Sequence, residues 1–384
     1  MVGTASVEKT HAAHSLGLLV RRSVLIIVSI LVAGLGGLVA VLLLRSPGRP
    51  NPVVDETGQP MVGSLSEKSY VTINGVEQGM FIRSQDTTKP VLLVLHGGPG
   101  MPTYFLTERY PVDLEQLFTV VWWEQRGTGL SYRPDLPPET MTVEQMIADT
   151  HAVTNYLRYR FGQDKIYLMG HSWGTFIGIQ AAARRPELYH AYIAMAQLTY
   201  QLKSEKLAYD YMLQQFQANG NTNMVRKLQG APVTLDAPLP AAYDALRDDA
   251  MHSLGIGTTH DMGSVYTGIF LPSWLSPRYT VREKWNLWRG KFWSKSILWR
   301  EVVATDLTQK VTRLDVPIYI FQGAYDYTAN YSLARAYLEQ LHAPLKGFYT
   351  FEHSAHSPVL EEPEKALRIL REDVLQGTNN LADA

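Results

Sequence analysis

Gly170-His171-Ser172-Trp173-Gly174 sets a serine between two glycines, the G-x-S-x-G spacing in which a sharp backbone turn lifts a hydroxyl clear of its surroundings. A serine hydroxyl is a weak nucleophile by itself. It needs a base to take its proton, an acid to hold that base, and N–H donors for the oxyanion formed when a carbonyl is attacked. His356 suits the base, because Ser357-Pro358 and then Glu361-Glu362-Pro363 lead on from it into a helical pattern. His353, its neighbour, reads as a surface residue, and His171, His252 and His260 read as packing or cap-surface histidines. Asp326 suits the orienting acid, because it follows the apolar run at 316–322; Asp315 precedes that run and so falls at the wrong end of a parallel sheet. His96-Gly97-Gly98-Pro99-Gly100 offers the oxyanion donors: Gly98 is expected to give one amide and Trp173, next to the nucleophile, the other.

Such groups, far apart in the chain, must be brought together by strands ending at one edge. Short apolar runs at 71–73, 79–83, 91–96, 118–124, 165–170, 189–196, 316–322 and 347–351 read as strands. The runs at 91–96 and 118–124 lack alternation, as strands buried on two faces do. Helical spacing between them, over 142–161, 173–184, 333–341 and 363–375, predicts a mostly parallel sheet with helices on both faces. The rhythm breaks from about 198 to 312, where the chain turns helical and rich in tryptophan; this predicts a helical cap inserted into the α/β fold. The expected divisions are core residues 66–197 and 313–384 around a cap at 198–312.

With 384 residues, 46% of them hydrophobic, the chain can bury a large core, and its formal net charge of −1 gives no field to recruit nucleic acid. There is no cysteine, which removes disulfides, thiolate nucleophiles and cysteine-bound zinc. No metal or organic cofactor is suggested, and the partner expected is a small molecule or short peptide substrate.

Residues 23–44 carry no charge, and about 22 residues at about 1.5 Å each span a bilayer core of about 30 Å. The stretch is too long for a signal-peptide core and lacks a small-residue cleavage site after it. It reads as a transmembrane anchor in the lipid bilayer, after a short tail at 1–22 and before a Pro- and Gly-rich flexible linker at 45–65. Lys9, Arg21 and Arg22 before the span, against Arg45 and Arg49 after it, favour a cytoplasmic N-terminus and an extracytoplasmic catalytic part.

HGGPG at 96–100, Glu124-Gln125-Arg126-Gly127-Thr128-Gly129-Leu130-Ser131, GHSWG at 170–174, the Asp326 loop and HSP followed by EEP at 356–363 together resemble the α/β-hydrolase superfamily, and in particular its proline iminopeptidase group. The resemblance covers residues 66–197 and 313–376. It implies a serine hydrolase that releases an N-terminal residue through an acyl-enzyme, without a cofactor. It also implies acidic cap residues for the substrate's amino group, often near a W-x-x-W-E-G segment. Trp285-Asn286-Leu287-Trp288-Arg289-Gly290 has arginine in place of that glutamate. Trp285, Trp288 and Glu205 are the substrate-binding residues this comparison suggests, with Asp210, Asp248, Asp249 and Asp261 as further carboxylates. A carboxylesterase or lipase-like hydrolase on the same residues, and a non-catalytic receptor reusing the fold, are the other readings. Dehalogenase and epoxide hydrolase chemistry would need an aspartate at 172.

Overall fold

The computed structural model describes residues 4–383. Eight strands form one sheet: β1 (Leu65–Ile73), β2 (Val76–Ser84), β3 (Val91–Leu95), β4 (Thr119–Trp123), β5 (Ile166–His171), β6 (Tyr189–Met195), β7 (Ile318–Gly323) and β8 (Lys346–Phe351). Their spatial order is β1-β2-β4-β3-β5-β6-β7-β8. β1 and β2 pair antiparallel through a two-residue turn at Asn74 and Gly75, both at positive φ, and β2 pairs antiparallel with β4. All later pairings are parallel. Every residue of β3, β5 and β7 is buried, as central strands covered on both faces require.

The helices are α1 (Thr4–Leu44), α2 (Val143–Phe161), α3 (Trp173–Arg184), α4 (Gln201–Ala218), α5 (Thr222–Gln229), α6 (Ala241–Ser253), α7 (Leu271–Leu275), α8 (Val281–Ala304), α9 (Leu307–Lys310), α10 (Tyr331–Gln340), α11 (Pro358–Glu361) and α12 (Pro363–Ile369). Thr142 caps α2 by accepting the Gln145 amide at 3.1 Å, and Gly162 in the left-handed region ends it. α2 and α3 contribute to the apolar core on one face of the sheet, around Leu93, Trp123, Ile147 and Phe176. A second core on the other face is built on Leu92, Val94, Phe118, Ile193 and Phe321. Helices α4 to α9 lie between β6 and β7 in the chain, and α4, α5 and α6 share a third core around Met212, Phe216, Tyr243 and Met251.

Two expectations near the N-terminus change. The helix runs back to Thr4 instead of following a tail at 1–22. The segment read as a flexible linker is tied to the cap at its start: the Gly48 amide donates to the Pro277 carbonyl at 3.1 Å, and Lys284 Nζ donates to Ser46 Oγ at 2.8 Å. Its Pro and Gly content breaks the helix, while a backbone carbonyl and a lysine of the cap supply the partners.

Candidate active site

The loops after the carboxyl ends of β3, β5, β7 and β8 meet at one edge of the sheet, where open α/β sheets place their ligands. Ser172 stands between β5 and α3 with φ 54° and ψ −119°, a conformation a non-glycine residue holds only when its surroundings impose it. The flanking glycines impose it. A Cβ at Gly170 would strike the Gly174 carbonyl, and one at Gly174 would strike the Leu95 carbonyl, so the turn is packed backbone to backbone against β3. No side chain caps the start of α3 at Ser172. Helix amides at that end carry partial positive charge.

His356 and Asp326 are brought together. His356 Nδ1 lies 2.9 Å from Asp326 Oδ2 and 3.1 Å from Oδ1. The carboxylate also accepts from Gln322 Nε2 at 2.8 Å and from the Ala329 amide at 2.9 Å. Nδ1 therefore donates, and Nε2 is the ring nitrogen that can take a proton. His356 and Ser172 line one cavity of about 160 Å³, together with Gly97 and Gly98. A Cβ at Gly97 would sit 3.3 Å from Ser172 Cβ, so the glycine loop lies directly on the serine. His353 is exposed, and Asp315 pairs at the surface with Arg313.

Several further residues support this arrangement. His171 Nε2 lies 2.9 Å from the His356 carbonyl, and burial presses the pKa of this histidine down to about 3, so it is a neutral donor that holds the His356 backbone. Glu361 accepts the amides of Ala355 at 2.9 Å and of His260 at 2.6 Å, tying the histidine loop to the cap. The His356 amide donates to the cap's Gly257 carbonyl at 3.2 Å. Gln125 joins two motifs: its Oε1 accepts from the Trp173 indole at 2.7 Å, and its Nε2 donates to the His96 carbonyl at 3.1 Å. Glu124, fully buried, accepts from the Leu130 amide at 2.6 Å and the Tyr279 hydroxyl at 2.5 Å. Arg126 is a fixture of the fold, clamped on Asp149 at 2.7 and 2.9 Å with both side chains buried.

The cap closes the cavity with Arg247, Asp248, Met251 and His252 of α6 and with Lys291, Lys295 and Trp299 of α8. α8 lies directly on the glycine loops: a Cβ at Gly100 would be 2.8 Å from Ser294 Cβ, and one at Gly290 would be 2.8 Å from the Gly127 carbonyl. The substrate-binding residues suggested by resemblance are not among those lining the cavity. Trp285 is 58% exposed, and Trp288 donates to Ser273 Oγ at 3.0 Å. Both lie nearer the start of α8 than Lys291, Lys295 and Trp299, which line the cavity. Glu205 is buried behind the lining, where it pairs with Arg247 at 2.9 Å and accepts from Tyr243 at 3.0 Å and Gln201 at 2.8 Å. Of the other carboxylates considered, only Asp248 lines the cavity, and it is paired with Arg247 at 2.7 Å. Among the described residues no cluster of three or more His, Asp or Glu side chains is placed to hold a metal ion.

The sequence model of the alpha/beta hydrolase fold family matches residues 90–363. The chain is 31% identical over 306 residues, 79% of its length and 95% of the relative's, to a probable aminopeptidase, YbaC, of Bacillus subtilis strain 168. It is 26% identical over 316 residues, 79% of its length and 97% of the relative's, to the proline iminopeptidase of Clostridioides difficile strain 630. Among solved structures, the proline iminopeptidase of Mycobacterium smegmatis superposes with a TM-score of 0.57 at 16% identity, over 81% of this chain and 98% of that one.

Proposed function

This chain belongs to the alpha/beta hydrolase fold family, and on that footing we propose that it is a serine hydrolase acting by acyl transfer on a small peptide or amide, in the manner of an aminopeptidase. Ser172 Oγ attacks the substrate carbonyl as His356 Nε2 takes its proton. Asp326 fixes the tautomer and orientation of the ring and stabilises the imidazolium. The amides of Gly98 and Trp173 receive the oxyanion. The imidazolium then gives its proton to the leaving amine, and water, deprotonated by the same ring, releases the acyl group. The observation that carries this reading is the strained Ser172 elbow sharing one small cavity with a histidine whose Nδ1 is held by a buried carboxylate. In purified full-length protein, Ser172→Ala should lower turnover of aminoacyl arylamides and p-nitrophenyl esters by a factor on the order of 10⁴–10⁶. Undiminished hydrolysis by that variant overturns the mechanism.

A second reading, a carboxylesterase on the same residues, is favoured by the pairing of Glu205 and Asp248 with Arg247, which leaves neither carboxylate free for a substrate ammonium. Faster turnover of short acyl esters than of prolyl arylamide by a wide margin would decide for it.

We propose further that α1 anchors the protein in a membrane with the catalytic part outside. The most apolar 18-residue window of Arg21–Leu44 has a mean hydropathy of 2.8, and none of it is buried. Near its end the cap exposes Leu271, Leu275 and Trp285, apolar and aromatic groups suited to a bilayer interface. Because the chain has no cysteine, Thr87→Cys introduces one exposed thiol. A membrane-impermeant maleimide should label it in intact cells; labelling only after permeabilisation reverses the orientation, and extraction of the protein by alkaline carbonate removes the anchor.

A further inference from the structure

The charged groups around the cavity are sorted in an uneven way. Its lining carries three cations, Arg247, Lys291 and Lys295, against one carboxylate, Asp248. Arg247 is consumed by the protein itself, holding Asp248 at 2.7 Å and Glu205 at 2.9 Å. Lys295 is consumed too, by Asp244 at 2.9 Å. Lys291 is different. Among the described residues no carboxylate comes within 4.0 Å of its ammonium, whose partners are ring faces: Trp288 at 4.9 Å and Phe292 at 5.7 Å from the centroids. Burial presses the pKa of Lys291 below the ordinary lysine range, and Asp248 only partly offsets this. A partly desolvated ammonium gains more from a carboxylate than from an aromatic face, since a charge-assisted hydrogen bond exceeds a cation–π contact in strength.

We propose that the substrate's acyl portion bears a carboxylate and that Lys291 is the group that receives it. The inference rests on the reading of Ser172 as the nucleophile of this cavity. A purely cationic amino-terminal group, with nothing acidic beside it, would meet the uncompensated ammonium of Lys291 and a carboxylate, Asp248, already occupied by Arg247. The cavity of about 160 Å³ has room for a short dicarboxylic chain or one acidic residue. Lys291 lies one turn along α8 from Lys295 and two from Trp299, and all three line the cavity that also holds Ser172.

The test uses full-length protein in detergent. Binding is measured by calorimetry on the chain carrying Ser172→Ala, which keeps the probes intact and makes the readout independent of serine chemistry. The probes are glutaryl p-nitroanilide, its methyl ester and L-prolyl p-nitroanilide. The acid should bind about tenfold tighter than its ester and than the prolyl probe, the effect of one charge-assisted hydrogen bond. Adding Lys291→Met should abolish that preference, and Lys291→Glu should reverse it in favour of the ester, with the thermal midpoint of each variant confirming that it folds. Equal binding of acid and ester, or a preference for acid that survives Lys291→Met, overturns the proposal. Hydrolysis by the wild type separates the two claims: a preference for acid that depends on Lys291, with no turnover of any probe, removes the serine mechanism and leaves the carboxylate site standing.

Discussion

At the rim of the sheet each group of the proposed catalytic set hangs from the end of a strand, whereas in the cap the groups facing the same cavity project from the helices α6 and α8 and the loop between them. A strand end in a buried parallel sheet is positioned by its ladder, so residue type and position there are fixed together: only glycine fits at 170 and 174. A helix face is less constraining. α8 must present Gly290 and Ser294 to the glycine loops, but the next positions around the helix are set only by what the cavity holds. The rim would thus keep one chemistry while the cap selects what undergoes it.

The comparison is broken most severely by Asp326→Asn. An asparagine amide in place of the carboxylate leaves the ring held in the wrong tautomer, and turnover should fall by about 10⁴ with the fold intact, measured by steady-state kinetics alongside a melting curve. Retained turnover would mean that the rim geometry is not used for catalysis. Next comes Arg126→Ala, which strips the partner from Asp149, a carboxylate that also accepts from Gln78 and Asn74. Leaving that charge buried and unpaired should cost about 3–5 kcal/mol in denaturant unfolding. The cost should appear as stability, with kcat of the folded fraction unchanged.

A smaller effect concerns the joint between rim and cap. Burial pushes the Glu124 carboxyl up to about 7 from an ordinary value of 4.5, although Tyr279 and Leu130 donate to it. The folded state therefore binds this proton more tightly than the unfolded one. The stabilisation is fully present below pH 4.5 and is lost as pH rises through about 7. Glu361, raised to about 7 by its own burial, acts in the same direction. Glu124→Gln should make the loss of stability between about pH 5 and 8 smaller by about 1–3 kcal/mol, followed by chemical denaturation at both pH values. An unchanged pH dependence would show that this carboxyl does not titrate as its burial implies.

What the sequence discloses follows the same division. Ser172, Asp326 and His356 are legible because strand periodicity places them at strand ends and the elbow demands glycine on both sides; α3 begins and ends at the residues expected. Glu361 and His171 act through backbone amides and a carbonyl across the loop, contacts that leave no spacing pattern. In the cap, the pairing of Glu205 with Arg247 joins α4 to α6, and no local rule links those two positions. Lys291, Lys295 and Trp299 do carry a signal, a spacing of four that puts them on one helical face. Trp285 and Trp288, nearer the start of the same helix, look equally like binding groups until the place of the cavity along α8 is known.

Trp285 therefore gives the sharpest small test of how far the binding surface runs along α8. Its ring is 58% exposed and packs edge-on against Trp274 at 6.2 Å, away from the cavity lining. Trp285→Ala should change kcat/KM for any soluble arylamide or ester by less than about twofold, since removing an exposed side chain away from the cavity lining costs within about 0.5 kcal/mol. Trp299→Ala, about four turns further along α8 and within the lining, should raise KM by a clearly larger factor. If the two variants lose activity equally, the binding surface runs along α8 as far as Trp285, and the tryptophans the resemblance pointed to bind substrate after all.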